Sequence, residues 1–157
     1  MQPIYVLDLE YRQSGDIKEI GVALVIETEE GKYLAAKPES NHLIRLGESP
    51  KHSLFEACEM IKNMGAEKRM WASWGTNDRH ELKRQTEDAM LAMPVGYFHI
   101  DIAPMYAALY GLDRPIRLKA AAEITTGRFY GSQHHAEDDA WNAARVLAVL
   151  MNRYDRS

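Results

Sequence analysis

The segment IYVLDLEY begins as an apolar, β-branched run and meets acids at Asp8 and Glu10. With the two-residue period of a strand, these acids share one face. After the turn RQSGD, IKEIGVALVIE reads as a second strand and GKYLAAKP as a third, with TEEGK forming a hairpin turn around Gly31. The segment SPKHSLFEACEMIKNMG carries serine and proline punctuation, an amphipathic body and a closing Gly65, which predicts a helix. KRMWASWG is an apolar run of strand length, and NDRHELKRQTEDAMLAM predicts a helix starting near Asn77 or Asp78. GYFHIDIAP predicts a fifth strand, and PMYAALYGL and RLKAAAEITTG two short helices. In the last helical segment, DDAWNAARVLAVLMNRY, residues Ala140, Ala144, Val146, Leu147 and Leu150 form an apolar stripe at spacings of three and four. A three-stranded meander followed by alternating helix and strand predicts a layered α/β domain with a mixed sheet. No internal repeat, low-complexity tract or linker interrupts it, so one domain is expected over residues 1–157.

Composition agrees with that picture, since 157 residues can bury a sizeable core without disulfides or a structural metal. The chain is 46% hydrophobic and 27% charged, with no long apolar run and no charged-then-apolar leader. Neither a membrane span nor a signal peptide is expected, and the expected location is cytoplasmic. The lone Cys58, in an amphipathic helix pattern, reads as a small core residue of a reducing compartment. The formal net charge of −4 argues against holding nucleic acid by bulk electrostatics alone. It is compatible with a nuclease, because carboxylates gathered around divalent cations are neutralised locally.

Two acid-rich stretches carry candidate chemistry. Burying Asp8 and Glu10 side by side is unfavourable unless a cation or a donor compensates. Carboxylate ligands suit Mg²⁺ or Mn²⁺, whereas zinc would call for His or Cys. The alternative is that the strand surfaces at Asp8. The second stretch, GSQHHAEDDA at residues 131–140, crowds His134, His135, Glu137, Asp138 and Asp139 together. Acids also favour the first turn of a helix, where the backbone dipole is positive, so this window alone equally fits a solvated helix start.

Taken in order, DLE, KEIGVALV, SWGTNDRHELKRQ and GRFYGSQHHAEDDAWNAARVL span nearly the whole chain. They resemble the three exonuclease motifs of the DEDD superfamily, in its DEDDh subgroup. The first motif supplies Asp8 and Glu10, the second Asp78, and the third His134 and Asp139. The third motif is most similar to the branch of histone-mRNA and RNA-interference-related 3′ exonucleases. The resemblance implies a ribonuclease H-like fold: a five-stranded mixed β-sheet flanked by α-helices, in agreement with the independent count of elements.

The activity so implied is metal-dependent 3′-to-5′ exonucleolysis of single-stranded nucleic acid, RNA before DNA, releasing nucleoside 5′-monophosphates. In the implied scheme two Mg²⁺ or Mn²⁺ ions are held by four carboxylates: Asp8 bridges them, Glu10 and Asp139 hold the nucleophile-side ion, and Asp78 supports the other. His134 takes a proton from the attacking water, a role suited to a side chain whose ordinary pKa is about 6.5. A DNA exonuclease of proofreading or repair type and an inactive nucleic-acid-binding module are the alternatives, and a homodimer is one assembly the resemblance allows.

The chain departs from the pattern at Tyr11 and Arg12, where the family often has Thr, and in a shorter segment from Lys37 to Ser53. Tyr11 and Trp74 are the candidates for stacking on terminal bases, with core packing an equal reading for Trp74. Arg79, Lys83, Arg84, Arg117 and Lys119 either track phosphates or form solvated helix faces. Trp141 reads as core and Asp138 as a helix-start or salt-bridge residue.

Overall fold

The computed structural model describes residues 2–48 and 51–154. The apolar start of the chain forms β1 (Ile4–Tyr11), which pairs antiparallel with β2 (Ile17–Glu27). The third predicted strand is short, β3 (Tyr33–Ala35), and a further strand, β4 (His42–Arg45), forms where none was expected. Both pair with β2, β3 at Val25–Glu27 and β4 at Glu19–Val22. Since β1 takes the other edge of β2, the two short strands are successive pieces of one position. The sheet therefore has six strands but is five positions wide. β4 escaped notice because its four residues bury only Ile44, too little to show a period.

β5 (Trp71–Ser73) pairs parallel with β1, and β6 (His99–Asp101) parallel with β5, which completes the mixed order β3-β2-β1-β5-β6. β6 is shorter than the predicted fifth strand, and Tyr97 and Phe98 stay outside it as exposed side chains.

Helix starts and stops follow their local chemistry. α1 (Leu54–Ile61) is capped by Ser53, whose hydroxyl accepts from the Glu56 N–H while the Glu56 carboxylate accepts from the Ser53 N–H. Ser49 and Pro50, part of the predicted punctuation, lie outside the described residues. Gly65 closes the wide turn after α1 with φ 93°, a conformation glycine adopts freely. α2 (Thr76–Asp88) starts one residue earlier than the expected Asn77 and ends at Asp88, short of the predicted Met93. α3 (Ile102–Leu109), α4 (Leu118–Thr126) and α5 (Ala136–Tyr154) match the three remaining helical patterns. No helix among the described residues is long and apolar enough to cross a membrane.

The alternation of β1 divides the core. Ile4 and Val6 pack with Ala140, Ala144, Leu147 and Leu150 of α5, while Tyr5, Leu7 and Leu9 pack on the opposite face with Ile61 of α1 and Leu82 of α2. Leu7, Leu147 and Leu150 are fully buried, and each such side chain contributes about 1.5–3 kcal/mol. Cys58 is buried, its thiol pushed up to about 11 by burial, in keeping with a core residue. Trp141 is half-buried against the α5 cluster, and its indole N–H donates to the Ala36 carbonyl at 3.0 Å.

Candidate active site

Asp8 and Glu10 continue the face of β1 that carries Ile4 and Val6, at the end of the strand where α5 begins. The far end of that helix is fixed by Asn152, whose amide both accepts from the Tyr33 N–H (2.7 Å) and donates to the Tyr33 carbonyl (2.8 Å). Its near end rests on Gly21, the β2 residue paired with Asp8. The first turn of α5 therefore delivers Asp139 to the acids of β1. The Glu10, His134 and Asp139 side chains present possible ligand atoms that all lie within 4.8 Å of one another.

The electrostatics are those of crowded acids partly withdrawn from water. Burial, and then the charges of Asp78, Asp139 and Glu10, hold the Asp8 carboxyl well above the usual carboxylate range. One Asp8 oxygen, Oδ2, is buried without a hydrogen-bond partner. The Asp139 carboxyl is pushed up to about 7 by burial and by Glu10, against the opposing effect of the His134 N–H. The Asp78 carboxyl is raised to about 6, burial outweighing its hydrogen bonds from Tyr11 and Leu9. A buried, unpartnered carboxylate oxygen beside three more acids and an imidazole fits a hard divalent cation of the Mg²⁺ or Mn²⁺ kind.

Asp78 reaches the site because β5 stops early. β5 pairs with β1 at Tyr5 and Val6, which leaves the later edge of β1 open. The first turn of α2 fills that gap: Asp78 Oδ2 accepts from the Leu9 N–H at 3.1 Å and Oδ1 from the Tyr11 hydroxyl at 2.7 Å. Burial and the charge of Asp78 raise the Tyr11 hydroxyl above the ordinary phenol range.

The loop before α5 is built to turn His134 out. His134 adopts φ 64°, uncommon for a residue with a β-carbon, and its N–H donates to Asp139 Oδ2 at 3.1 Å. The neighbouring Ser132 N–H donates to Asp138 Oδ2 at 3.0 Å, so Asp138 braces the loop, a use of the helix-start reading. The fully buried Asn142 clamps the base of the loop, accepting from the Tyr130 N–H and donating to the Tyr130 carbonyl. His135 instead caps α5, its carbonyl accepting from the Asp139 N–H at 2.9 Å. It lines a separate recess with Lys18, Leu43 and Arg45, whereas His134 borders both that recess and the acid cleft.

The cleft has a volume of about 590 Å³ and runs from Asp8, Glu10, His134 and Asp139 to an apolar wall that includes Trp74 and Phe129. Trp74 takes both roles considered for it: the half-buried ring packs 6.0 Å from Tyr106, its N–H donates to the Ile116 carbonyl at 3.2 Å, and it borders the cleft. Tyr11 is not among the lining residues, its hydroxyl being engaged with Asp78. Arg117 and Lys119 line the cleft. Arg84 instead pairs with Glu81 at 2.7 Å and Asp88 at 3.2 Å, and Lys83 lies 4.0 Å from Glu87, a solvated helix face. Arg79 donates to the Tyr97 carbonyl. Gly21 and Phe129 were not singled out from the sequence. Phe129 stands within the third motif as quoted, while the signal for Gly21, a glycine inside a strand pattern, marks close backbone approach.

No protein-family profile and no curated protein sequence matches the chain. Among solved structures it is similar to a full-length 3′-exonuclease, at 16% identity and TM-score 0.69, covering 97% of this chain and 60% of that one. It is similar also to the nuclease domain of 3′hExo, a DEDDh family member bound to rAMP (16% identity, TM-score 0.69, 96% of this chain and 91% of that one). A third likeness is to a 3′-exonuclease recognising the 3′ end of the histone mRNA stem-loop (15% identity, TM-score 0.66, 96% of this chain and 64% of that one). The chain thus spans less than two thirds of the full-length exonuclease. At these identities the likeness establishes the fold alone, the ribonuclease H-like one.

Proposed function

We propose that the chain is a DEDDh-type, metal-dependent 3′-to-5′ exonuclease that shortens single-stranded nucleic acid, RNA in preference to DNA. The observation that carries this reading is the convergence of Glu10, His134 and Asp139 within 4.8 Å, beside the unpartnered Oδ2 of Asp8. The likeness to 3′-exonucleases of known structure supports the direction of attack, and the histone mRNA stem-loop of one of them supports RNA.

In this reading Asp8, Glu10 and Asp139 hold the divalent ions, Mg²⁺ or Mn²⁺, and Asp78 supports them from the far side of β1. Two such ions, when bound, offset the charge growing on the phosphate and make water a better nucleophile near neutral pH. The chain supplies the rest. His134, exposed at the mouth of the cleft, accepts the proton of the attacking water. The backbone bond from His134 to Asp139 Oδ2 couples the base to the acid floor, so both are positioned by one loop. Trp74 and Phe129 form the apolar wall against which a terminal base stacks, and Arg117 and Lys119 offer charge to the phosphates.

The test uses 5′-labelled RNA and DNA oligomers of one sequence, single and double stranded, with and without Mg²⁺ or Mn²⁺. Ion-dependent laddering from the 3′ end, faster on single-stranded RNA, is the expected outcome. Internal cuts overturn the exonuclease reading, faster DNA shortening favours a proofreading or repair role, and no shortening by a folded sample leaves a binding module.

A further inference from the structure

Tyr97 and Phe98 are adjacent aromatic residues at the entrance to β6, 82% and 70% exposed, and neither joins the core on either face of the sheet. Their rings meet edge to face with centroids 5.7 Å apart. Met70, at the entrance to β5 and 44% exposed, stands beside them, because the Trp71 N–H donates to the Phe98 carbonyl at 3.2 Å. The turn before Met70 is locked to the same place: the Gly96 N–H donates to the Arg69 carbonyl at 2.8 Å, and a β-carbon at position 96 would strike that carbonyl. Backbone bonds thus hold an apolar surface in water.

The charges around this surface are mostly of one sign. Lys68 and Arg69 are exposed in the turn. Arg79 of α2 crosses to it, its guanidinium 5.8 Å from the centre of the Tyr97 ring and donating to the Tyr97 carbonyl at 3.4 Å. Among the described residues none of the three forms an ion pair, whereas Lys83 and Arg84, about one turn further along α2, pair with acids of their own helix. Of the neighbouring acids, Glu67 offsets one charge at most, and Asp78 is turned the other way, to Tyr11 and Leu9.

We propose that Tyr97, Phe98 and Met70, framed by Lys68, Arg69 and Arg79, form a second nucleic-acid contact outside the cleft: a stacking platform for the single strand upstream of its 3′ end. This rests on the nucleic-acid reading above and extends it to a surface that the cleft does not include. The chemistry fits, since every base has a π-face: exposed aromatic rings hold a strand without reading its sequence, and cations beside them take the phosphates. The position fits as well. Trp74 and Ala103, just past the far ends of β5 and β6, line the cleft. Each of these strands is three residues long, a span of about 10 Å. β6 is the edge strand, so no further strand among the described residues closes that path. A second copy of the chain fits less well, because in a two-fold interface the patch meets itself and sets its excess cations against one another.

The test is fluorescence anisotropy of a 5′-labelled single-stranded RNA decanucleotide with the full chain, at salt concentrations between about 50 and 200 mM. Chelator withholds the ions that cleavage needs in the reading above. Phe98→Ala and Tyr97→Ala are each expected to weaken binding by about tenfold, the scale of one lost base stack, with melting temperatures unchanged because both side chains stand in water. Lys68→Gln and Arg69→Gln each lower the slope of log affinity against log salt by about 0.7, the value of one phosphate contact to a single strand. Lys83→Gln, on the solvated face of α2, leaves the slope as it is. Wild-type affinity in both aromatic variants overturns the inference. So does a slope that falls as much in Lys83→Gln as in Lys68→Gln and Arg69→Gln, the mark of diffuse charge alone. A wild type that sediments as a dimer, with a Phe98→Ala variant that is monomeric and binds RNA equally, assigns the face to a second copy and also overturns the platform. A wild type that binds neither the RNA nor a DNA of the same sequence overturns the nucleic-acid reading and the platform with it, an outcome distinct from a wild type that binds and variants that bind alike.

Discussion

Gly21 of β2 lies directly beneath Ala136, the first residue of α5: a β-carbon at position 21 would stand 2.0 Å from the Ala136 carbonyl oxygen. Gly21 is also the partner of Asp8 in the strand register. One missing side chain therefore fixes how closely the helix bearing Asp139 approaches the strand bearing Asp8 and Glu10.

Replacing Gly21 with Ala forces the helix start off the sheet, because the obstacle is backbone and cannot rotate away. The expected loss of stability is about 3 kcal/mol, the upper end for overpacking, read as a lower midpoint in urea denaturation. Cleavage falls more than stability accounts for, since Asp139 is displaced from Glu10. A variant with wild-type midpoint and rate would show that α5 shifts without consequence.

The raised acids make metal-free stability depend on pH in a definite direction. Asp139 moves from 3.8 to about 7 and Asp78 to about 6, so between those values the folded chain binds more protons than the unfolded one. Their contribution is present below pH 3.8 and is lost as the pH rises through about 6 to 7. With chelator present, thermal melts at pH 5.5 should exceed those at pH 8. Asp139→Asn should flatten that difference, raise the melting temperature at pH 8 and nearly abolish cleavage, because it removes a repelling charge that the proposed reaction needs. A steeper pH dependence in the variant would contradict this assignment.

Cation binding should reverse the same strain. Addition of Mg²⁺ or Mn²⁺ is expected to raise the melting temperature, by the equivalent of about 2.7 kcal/mol at a hundredfold excess over Kd. Because Asp139 and Asp78 titrate near 7 and 6, the ions should displace protons, and pH-stat titration at pH 6.5 should record acid release. The absence of both a melting shift and proton release would count against a carboxylate metal centre.

The two adjacent histidines should behave unequally. His134→Ala is expected to lower kcat by a factor of about 10²–10⁴, the range for losing a general base, and, with the ions kept saturating at every pH so that proton competition at the acids adds no limb of its own, to flatten the acid limb of the pH–rate profile. His135→Ala should cost far less, since that residue caps α5 and lines the other recess. If His135→Ala is the inactive variant and His134→Ala keeps both its rate and its profile, the base has been misassigned.

Much of the molecule was legible in one dimension. The period-two pattern of β1 already put Asp8 and Glu10 on one face, the apolar stripe of α5 named the residues that pack on that strand, and Gly65 marked the close of the helical segment that begins with α1, although the cap itself is Ser53, which the pattern had not singled out. These are local rules, set by side-chain direction along a strand or helix and by unpaired backbone groups at helix ends. Two short elements were not legible: β4, which exists because β2 offers it an edge, and the early stop of β5, which opens the edge of β1 to Asp78. The sequence likewise could not say that Tyr11, an aromatic residue beside two acids, turns its hydroxyl to Asp78 and away from the cleft. Such contacts join residues 67 or 69 positions apart, and no periodicity reports them. Residue type and spacing determined which groups could do chemistry; the close approach of α5 to Gly21 and the left-handed turn at His134 decided which of them meet, because only packing fixes distances between elements that are remote in the chain.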